Sequence, residues 1–211
     1  MDGVDLAGLR AAFLEAVEID DPLIRGLEAA AVVSDAVRDL GVRLIVYGGA
    51  AVSLYTAGAY ISGDVDAALA VGAPGVEERL RALGLEKTHR HWALPDSDRV
   101  VMKFPSDALE PGWETNTIEL DSGRSVAVVT LEDIILDRIE GALSAGGIFD
   151  LYRQAILLCR SPSVSGPALR ERAAARRIER ELDIWLEITD DQAYSNPAAF
   201  SKAITAAGYH G

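Results

Sequence analysis

Two neighbouring stretches of this chain carry apolar residues at incompatible periods, and the junction between them limits what the chain can fold into. Residues 5 to 18 place Leu6, Leu9, Phe13, Ala16 and Val17 on one helical stripe, and residues 22 to 39 continue with Leu23, Ile24, Leu27, Ala31, Val32 and Val37. Val42-Arg43-Leu44-Ile45-Val46-Tyr47 is instead a short, nearly unbroken apolar run that stops at Gly48-Gly49. A run of that kind predicts a central strand covered on both faces, and Ala50 to Tyr55 predicts a helix starting directly at the glycine turn. A second strand is expected from Asp64 to Val71.

The acids at the head of that strand carry the chemistry. Side chains alternate along a strand, so Asp64 and Asp66 point the same way while Val65 enters the core. Paired carboxylates suit a hard divalent cation such as magnesium, which takes oxygen ligands and bridges to substrate phosphates. A helix opening at Gly48-Gly49 offers unpaired amides and the positive end of its dipole to the same phosphates, and glycine lets the backbone come close. Ser53, one turn into that helix, is a further candidate anion contact.

Further along, the pattern predicts a helix from Val76 to Leu83 and strands from Lys87 to Leu94, Arg99 to Phe104, Thr115 to Leu120 and Arg124 to Val129. Asp121-Ser122-Gly123 reads as the turn of a hairpin joining the last two. Thr130-Leu131-Glu132-Asp133 reads as an N-cap opening a helix, with Asp133 placed to meet the exposed amides. The chain is then expected to be helical to Arg160 with an interruption at Gly146-Gly147, to cross a linker from Ser161 to Pro167, and to be helical again from 168 to 188. This order is neither a Rossmann alternation nor a bundle. It predicts an α+β fold: a mixed-sheet core with N-terminal helices over residues 1–130, and a helical C-terminal part over residues 131–211.

Composition narrows the classes of function. With 211 residues the chain can build a core domain and a helical appendage. Its hydrophobic share of 49% comes without any apolar run of the roughly eighteen residues that a membrane helix needs, so a protein without a membrane span is expected. The acidic N-terminal segment does not read as a signal peptide. The lone Cys159 forms no internal disulfide and reads as a small buried hydrophobe, which points to a reducing, cytoplasmic setting. A net charge of −13 disfavours general binding to nucleic acid or anionic membrane, although a local basic patch can override the mean field.

The combination Tyr47-Gly48-Gly49 with Ser62-Gly63-Asp64-Val65-Asp66 resembles the signature of the nucleotidyltransferase superfamily, the polymerase-beta-like fold. Phe104-Pro105-Ser106-Asp107-Ala108-Leu109, Val126 to Arg138 and Asp150 to Leu158 extend the resemblance to minimal bacterial members related to the AbiEii toxin group, over residues 25 to 160. The resemblance implies that Gly48, Gly49, Ser53 and Ser62 hold a nucleoside triphosphate while Asp64 and Asp66 bind magnesium. A nucleoside monophosphate would then pass to a hydroxyl of a small molecule, a protein or RNA. It also implies a role as a toxin–antitoxin component with an antitoxin-type protein partner.

The chain departs from that pattern where the family carries a third carboxylate, because Lys103 stands there. Three readings stay open: Lys103 occupies the metal position and leaves a degenerate site that binds nucleotide or a protein partner without transfer; it contacts a phosphate; or it faces solvent and another acid, Glu119 or Asp107, completes the site. A second departure is Tyr60-Ile61-Ser62, where no basic residue accompanies Ser62.

Other polar groups read mostly as structure. Lys87, His89 and His91 would share one face of a strand, with Arg90 opposite, as a solvated surface or as a phosphate-steering patch. Arg172, Arg176 and Arg180 share a helical face that suits ordinary ion pairs and is the best candidate surface for RNA. Trp92, Trp113 and Trp185 are expected in packing rather than base stacking, and Asp150 at a helix start as a dipole partner.

Overall fold

The computed structural model describes residues 4–89, 91–144 and 149–187, together with 196, 198 and 205. The chain is α+β and divides into two compact units, Met1–Val129 and Thr130–Gly211.

The first unit opens with α1 (Leu6–Glu18) and α2 (Pro22–Val37), each started by an aspartate. The Asp5 carboxylate accepts from the Gly8 N–H at 3.0 Å, and that of Asp21 from the Leu23 and Ile24 N–H groups at 2.8 and 3.1 Å. These are N-cap contacts that satisfy donors left over at a helix start. α2 is buried over Leu27 to Val33, including a run of alanines, because it packs on α1, on α3 (Gly48–Tyr55) and α4 (Val76–Ala82), and also on strands of the sheet.

Among the described residues seven strands form one mixed sheet in the order β3-β4-β5-β2-β1-β7-β6, with β1 (Ile45–Val46), β2 (Val65–Ala68), β3 (Glu86–Thr88), β4 (His91–Leu94), β5 (Ser97–Ser106), β6 (Thr115–Glu119) and β7 (Ser125–Val129). β1 runs antiparallel to β2 and parallel to β7, and β2 runs parallel to β5. α3 (Gly48–Tyr55) follows β1, and α4 (Val76–Ala82) lies between β2 and β3. The expected hairpin is present: the Gly123 N–H donates to Leu120 O and the Leu120 N–H to Arg124 O, both at 2.9 Å.

The first strand is shorter than expected, chiefly at its start: Val42 to Leu44 precede the ladder, which Ile45 and Val46 form before α3 opens at Gly48. The expected strand from Lys87 to Leu94 is instead a tight antiparallel hairpin of β3 and β4, with Thr88 opposite His91. His89 turns the chain at φ 56°, in the left-handed region, so Lys87, His89 and His91 do not share a strand face; Arg90 lies outside the described residues.

In the second unit, α5 (Leu131–Ser144) and α6 (Phe149–Cys159) pack on each other, and the expected break at Gly146-Gly147 lies outside the described residues. The expected helix 168–188 is two helices, α7 (Gly166–Arg176) and α8 (Glu179–Glu187). Arg177 ends α7 in the left-handed conformation at φ 61°, its N–H donating to carbonyls of the preceding turn, while the Ile178 N–H reaches Ala173 O at 3.0 Å. This closing motif usually takes glycine, and an arginine in its place gave no sequence signal.

The break puts Arg180 on α8 and leaves Arg172 and Arg176 together on α7. Arg172 and Arg176 both bind the fully buried Asp133, whose carboxylate further accepts from the Thr130 hydroxyl at 2.6 Å. They are structural counter-ions of a buried acid, and the arginine face expected for RNA does not exist as a continuous surface. Trp92 and Trp185 are buried, and Trp113 is half-buried. Asp150, in the first turn of α6, accepts from Gln154 Nε2 at 2.7 Å. Cys159 is half-buried, and burial pushes its thiol up to about 11.

Candidate functional site

The glycine turn and the acid pair meet. β1 passes straight into α3, so the chain must turn sharply at Gly48, which takes φ 61°. A Cβ there would stand 2.6 Å from a carboxylate oxygen of Asp66, closer than real atoms approach. Gly49 is equally constrained, since a Cβ would meet the Ser62 hydroxyl at 2.5 Å and would lie 3.6 Å from the Tyr60 hydroxyl. Both glycines are thus required by what lies against them. The first turn of α3 lies directly on Asp66 and Ser62, and the Tyr47 N–H extends the β1–β2 pairing by donating to Asp66 O at 3.0 Å.

Ser53 and Ser62 tie the loop before β2 to the helix. The buried Ser53 hydroxyl donates to Gly49 O at 3.1 Å and accepts from the Ser62 N–H at 2.9 Å, so it holds the loop in place from inside the fold. The Ser62 hydroxyl in turn donates to Asp64 Oδ1 at 3.3 Å. Asp64 precedes β2 and Asp66 lies within it.

The third member comes from β5. Its parallel register sets Lys103 beside Asp66 and Met102 beside Val65. Met102 and Val65 face the core, so Lys103 and Asp66 share the opposite face. The Lys103 ammonium forms an ion pair with Asp64. Its hydrogen bond to Asp64 raises its pKa above the ordinary lysine value; partial burial opposes this, and the charges of Asp64 and Asp66 reinforce it. Lys103 therefore does not face bulk solvent away from the acids, and the reading that needed a substitute acid is corrected. Glu119 sits on β6, separated from β2 by β1 and β7, roughly 14 Å away at ~4.8 Å per strand. Asp107 follows the end of β5, about 13 Å along the chain from Lys103 at ~3.3 Å per residue.

The donor set can be compared with what a divalent cation needs. Two carboxylates are at hand, one already neutralised by an ammonium. Among the described residues no group of three or more His, Cys, Asp or Glu side chains is arranged to hold a metal ion. A resident magnesium ion does not fit this set while Lys103 holds Asp64.

Behind the acids lies a cleft of about 280 Å³ whose lining includes Leu23, Leu27, Ser53, Ser62, Asp64 and Val100. Arg25 braces its wall, donating to Arg99 O at 3.1 Å and Ile19 O at 2.7 Å. α2 comes close to β2 here, since a Cβ on Gly26 would lie 3.1 Å from Val65.

Of the residues singled out by sequence, Gly48, Gly49, Ser53, Ser62, Asp64, Asp66 and Lys103 form one neighbourhood. The sequence offered His91, with Lys87 and His89, either as a solvated surface or as a phosphate-steering patch, and of those three the strand register brings His91 to the acids. The β4–β5 register sets His91 beside Lys103, continuing the strip that begins at Asp66. The one available signal was alternation along β4, which leaves His91 opposite in facing to the buried Trp92. Among the described residues no helix is long and apolar enough to cross a membrane. No family model, no curated protein and no solved structure matches this chain.

Proposed function

We propose that this chain is a nucleotidyltransferase-like protein that binds a nucleoside triphosphate where the mouth of α3 meets the acid pair, with Lys103 standing in the place of the third carboxylate. The observation that carries the reading is the contact of Gly48 with Asp66, which sets helix amides and carboxylates around one crevice. Amides at a helix start favour phosphate, and an ammonium among the acids offsets the repulsion that two carboxylates would exert on it. In this form the protein recognises nucleotide, or an antitoxin-type protein partner, without transferring anything. A cytoplasmic location accords with its single half-buried cysteine.

A second reading is metal-dependent transfer of a nucleoside monophosphate to a hydroxyl of a small molecule, a protein or RNA. What favours it is that Asp64 and Asp66 are both held at the helix mouth, Asp64 through Ser62. It requires Asp64 to be released from Lys103.

Calorimetric titration of ATP, GTP, CTP and UTP, with and without magnesium, tests both. The first reading expects binding that does not depend on magnesium and weakens in Lys103→Ala. Binding that appears only with magnesium and is lost in Asp64→Ala would favour transfer, and transfer of a labelled nucleotide to total RNA or protein would establish it. No binding of any triphosphate under either condition would overturn nucleotide recognition in both readings.

A further inference from the structure

The strip of side chains on the acid face of the sheet does not end at Lys103. On β2, Asp66 is paired with Lys103 of β5, and Lys103 is paired with His91 of β4. On the other side Tyr47, the residue from which α3 starts, donates its N–H to Asp66 O. Directly paired residues of adjacent strands face the same way, so Asp66, Lys103 and His91 form a row across the sheet at ~4.8 Å steps. The row starts at the helix mouth and reaches His91 about 10 Å beyond Asp66. Its polarity is graded, with a carboxylate near the helix, then an ammonium, then an imidazole.

His91 is exposed, and its side chain makes no hydrogen bond or ion pair among the described residues. Its neighbour Trp92 behaves differently. Trp92 is buried beneath Arg81 and Lys87, whose cationic ends lie 5.9 and 5.7 Å from its ring centroid, on the other face of the sheet. Those two cations also pair with Glu77. His91 is therefore the group on β4 left to act on the acid face.

Resting on the nucleoside triphosphate reading, we propose that His91 and Lys103 together bind the distal phosphates of the nucleotide and give the site its preference for triphosphate over monophosphate. A phosphate chain anchored by the amides of α3 and running along the row passes Asp66, whose charge Lys103 offsets from the adjacent strand, and then meets the ammonium and the imidazole. Lys103 has donors to spare after Asp64 takes one, because an ammonium carries three. The imidazole adds a further donor or, when protonated, a second charge. The proximal phosphate stays at the helix, so His91 does not contribute to monophosphate binding.

The test is calorimetric titration of ATP, ADP and AMP into the full chain, as wild type, His91→Ala and His91→Lys. His91→Ala is expected to weaken ATP binding roughly tenfold while leaving AMP unchanged, as expected for loss of one hydrogen bond to a charged group. His91→Lys is expected to restore ATP affinity, which separates loss of a phosphate contact from loss of fold. ATP binding that is equal in wild type and His91→Ala overturns this inference and leaves the nucleotide reading standing. Equal losses for ATP and AMP, or failure of His91→Lys to recover affinity, also overturn it. If the wild type binds none of the three nucleotides, the nucleotide reading fails and this inference with it.

Discussion

The Cα of Gly48 lies so close to the side chain of Asp66 that a methyl group on it would come within 2.6 Å of the carboxylate. The turn into α3 and the second acid are therefore fitted to one another, and any side chain at residue 48 must displace the acid or the helix. Gly48 also takes a φ of 61°, which costs an L-residue about 1 kcal/mol on its own.

Gly48→Ala is expected to lower folding stability by about 2 to 3 kcal/mol, the backbone cost adding to the overlap with Asp66. Gly41→Ala is the control: it has a φ of 72° but meets nothing within 4 Å. Urea denaturation of both variants checks this, and equal losses would mean that the contact with Asp66 contributes nothing.

Lys103→Met removes the ammonium from between the acids. The folded-state pKa of Lys103 lies above its ordinary value, so stabilisation from the pair is complete below the ordinary lysine range and is lost as pH rises through the raised value. The stability gap between wild type and Lys103→Met should be constant around neutral pH and close above roughly pH 10.5. Chemical denaturation at a series of pH values measures the gap, and a gap unchanged at the alkaline end would count against the ion pair.

Lys103→Glu is expected to create a magnesium site where the wild type has an ammonium. Three carboxylates facing one crevice repel each other and attract a divalent ion. The variant should be less stable than the wild type in chelator and should gain thermal stability on adding magnesium. A wild type that gains as much as the variant would contradict the blocking role of Lys103.

Asp133 is fully buried between Arg172, Arg176 and Thr130. Asp133→Ala leaves two guanidinium groups without their shared counter-ion and should destabilise the second unit by about 3 to 5 kcal/mol. Urea titration followed by the fluorescence of Trp185, which is buried in that unit, reads the loss.

The Cys159 thiol, pushed up to about 11 by burial, should resist alkylation in the native protein. At a pH near 8 its thiolate fraction falls roughly a hundredfold below that of an ordinary cysteine. Iodoacetamide labelling with and without denaturant, followed by mass spectrometry, measures the ratio of rates.

The parts of this site that were legible in the sequence are those whose chemistry is local. Gly48-Gly49 after an apolar run, and Asp64 and Asp66 one residue apart, announce a turn and a shared face within a few residues. The pairing of Lys103 with the acids depends on β5 returning parallel beside β2 after α4 and a hairpin, and no local pattern encodes that return. The ladder around Lys103 then carried His91 into the neighbourhood as well. The hairpin at His89 was hidden because no glycine, asparagine or proline marks a turn between Lys87 and Leu94. The break at Arg177 was hidden for the same reason. Ser53 was legible as a residue near the glycine turn, while its use as a brace for Ser62 rests on a contact across the loop between them.

Strand register, rather than a side-chain rotation, is what brings Lys103 to the acids. Lysine and glutamate codons differ only in their first base, so a lone transition in the gene would exchange a cation for an anion at this spot while the backbone around it stayed as it is. The expected exchange of an ammonium for a magnesium-recruiting carboxylate therefore lies one mutational step from this chain, with the scaffold unchanged.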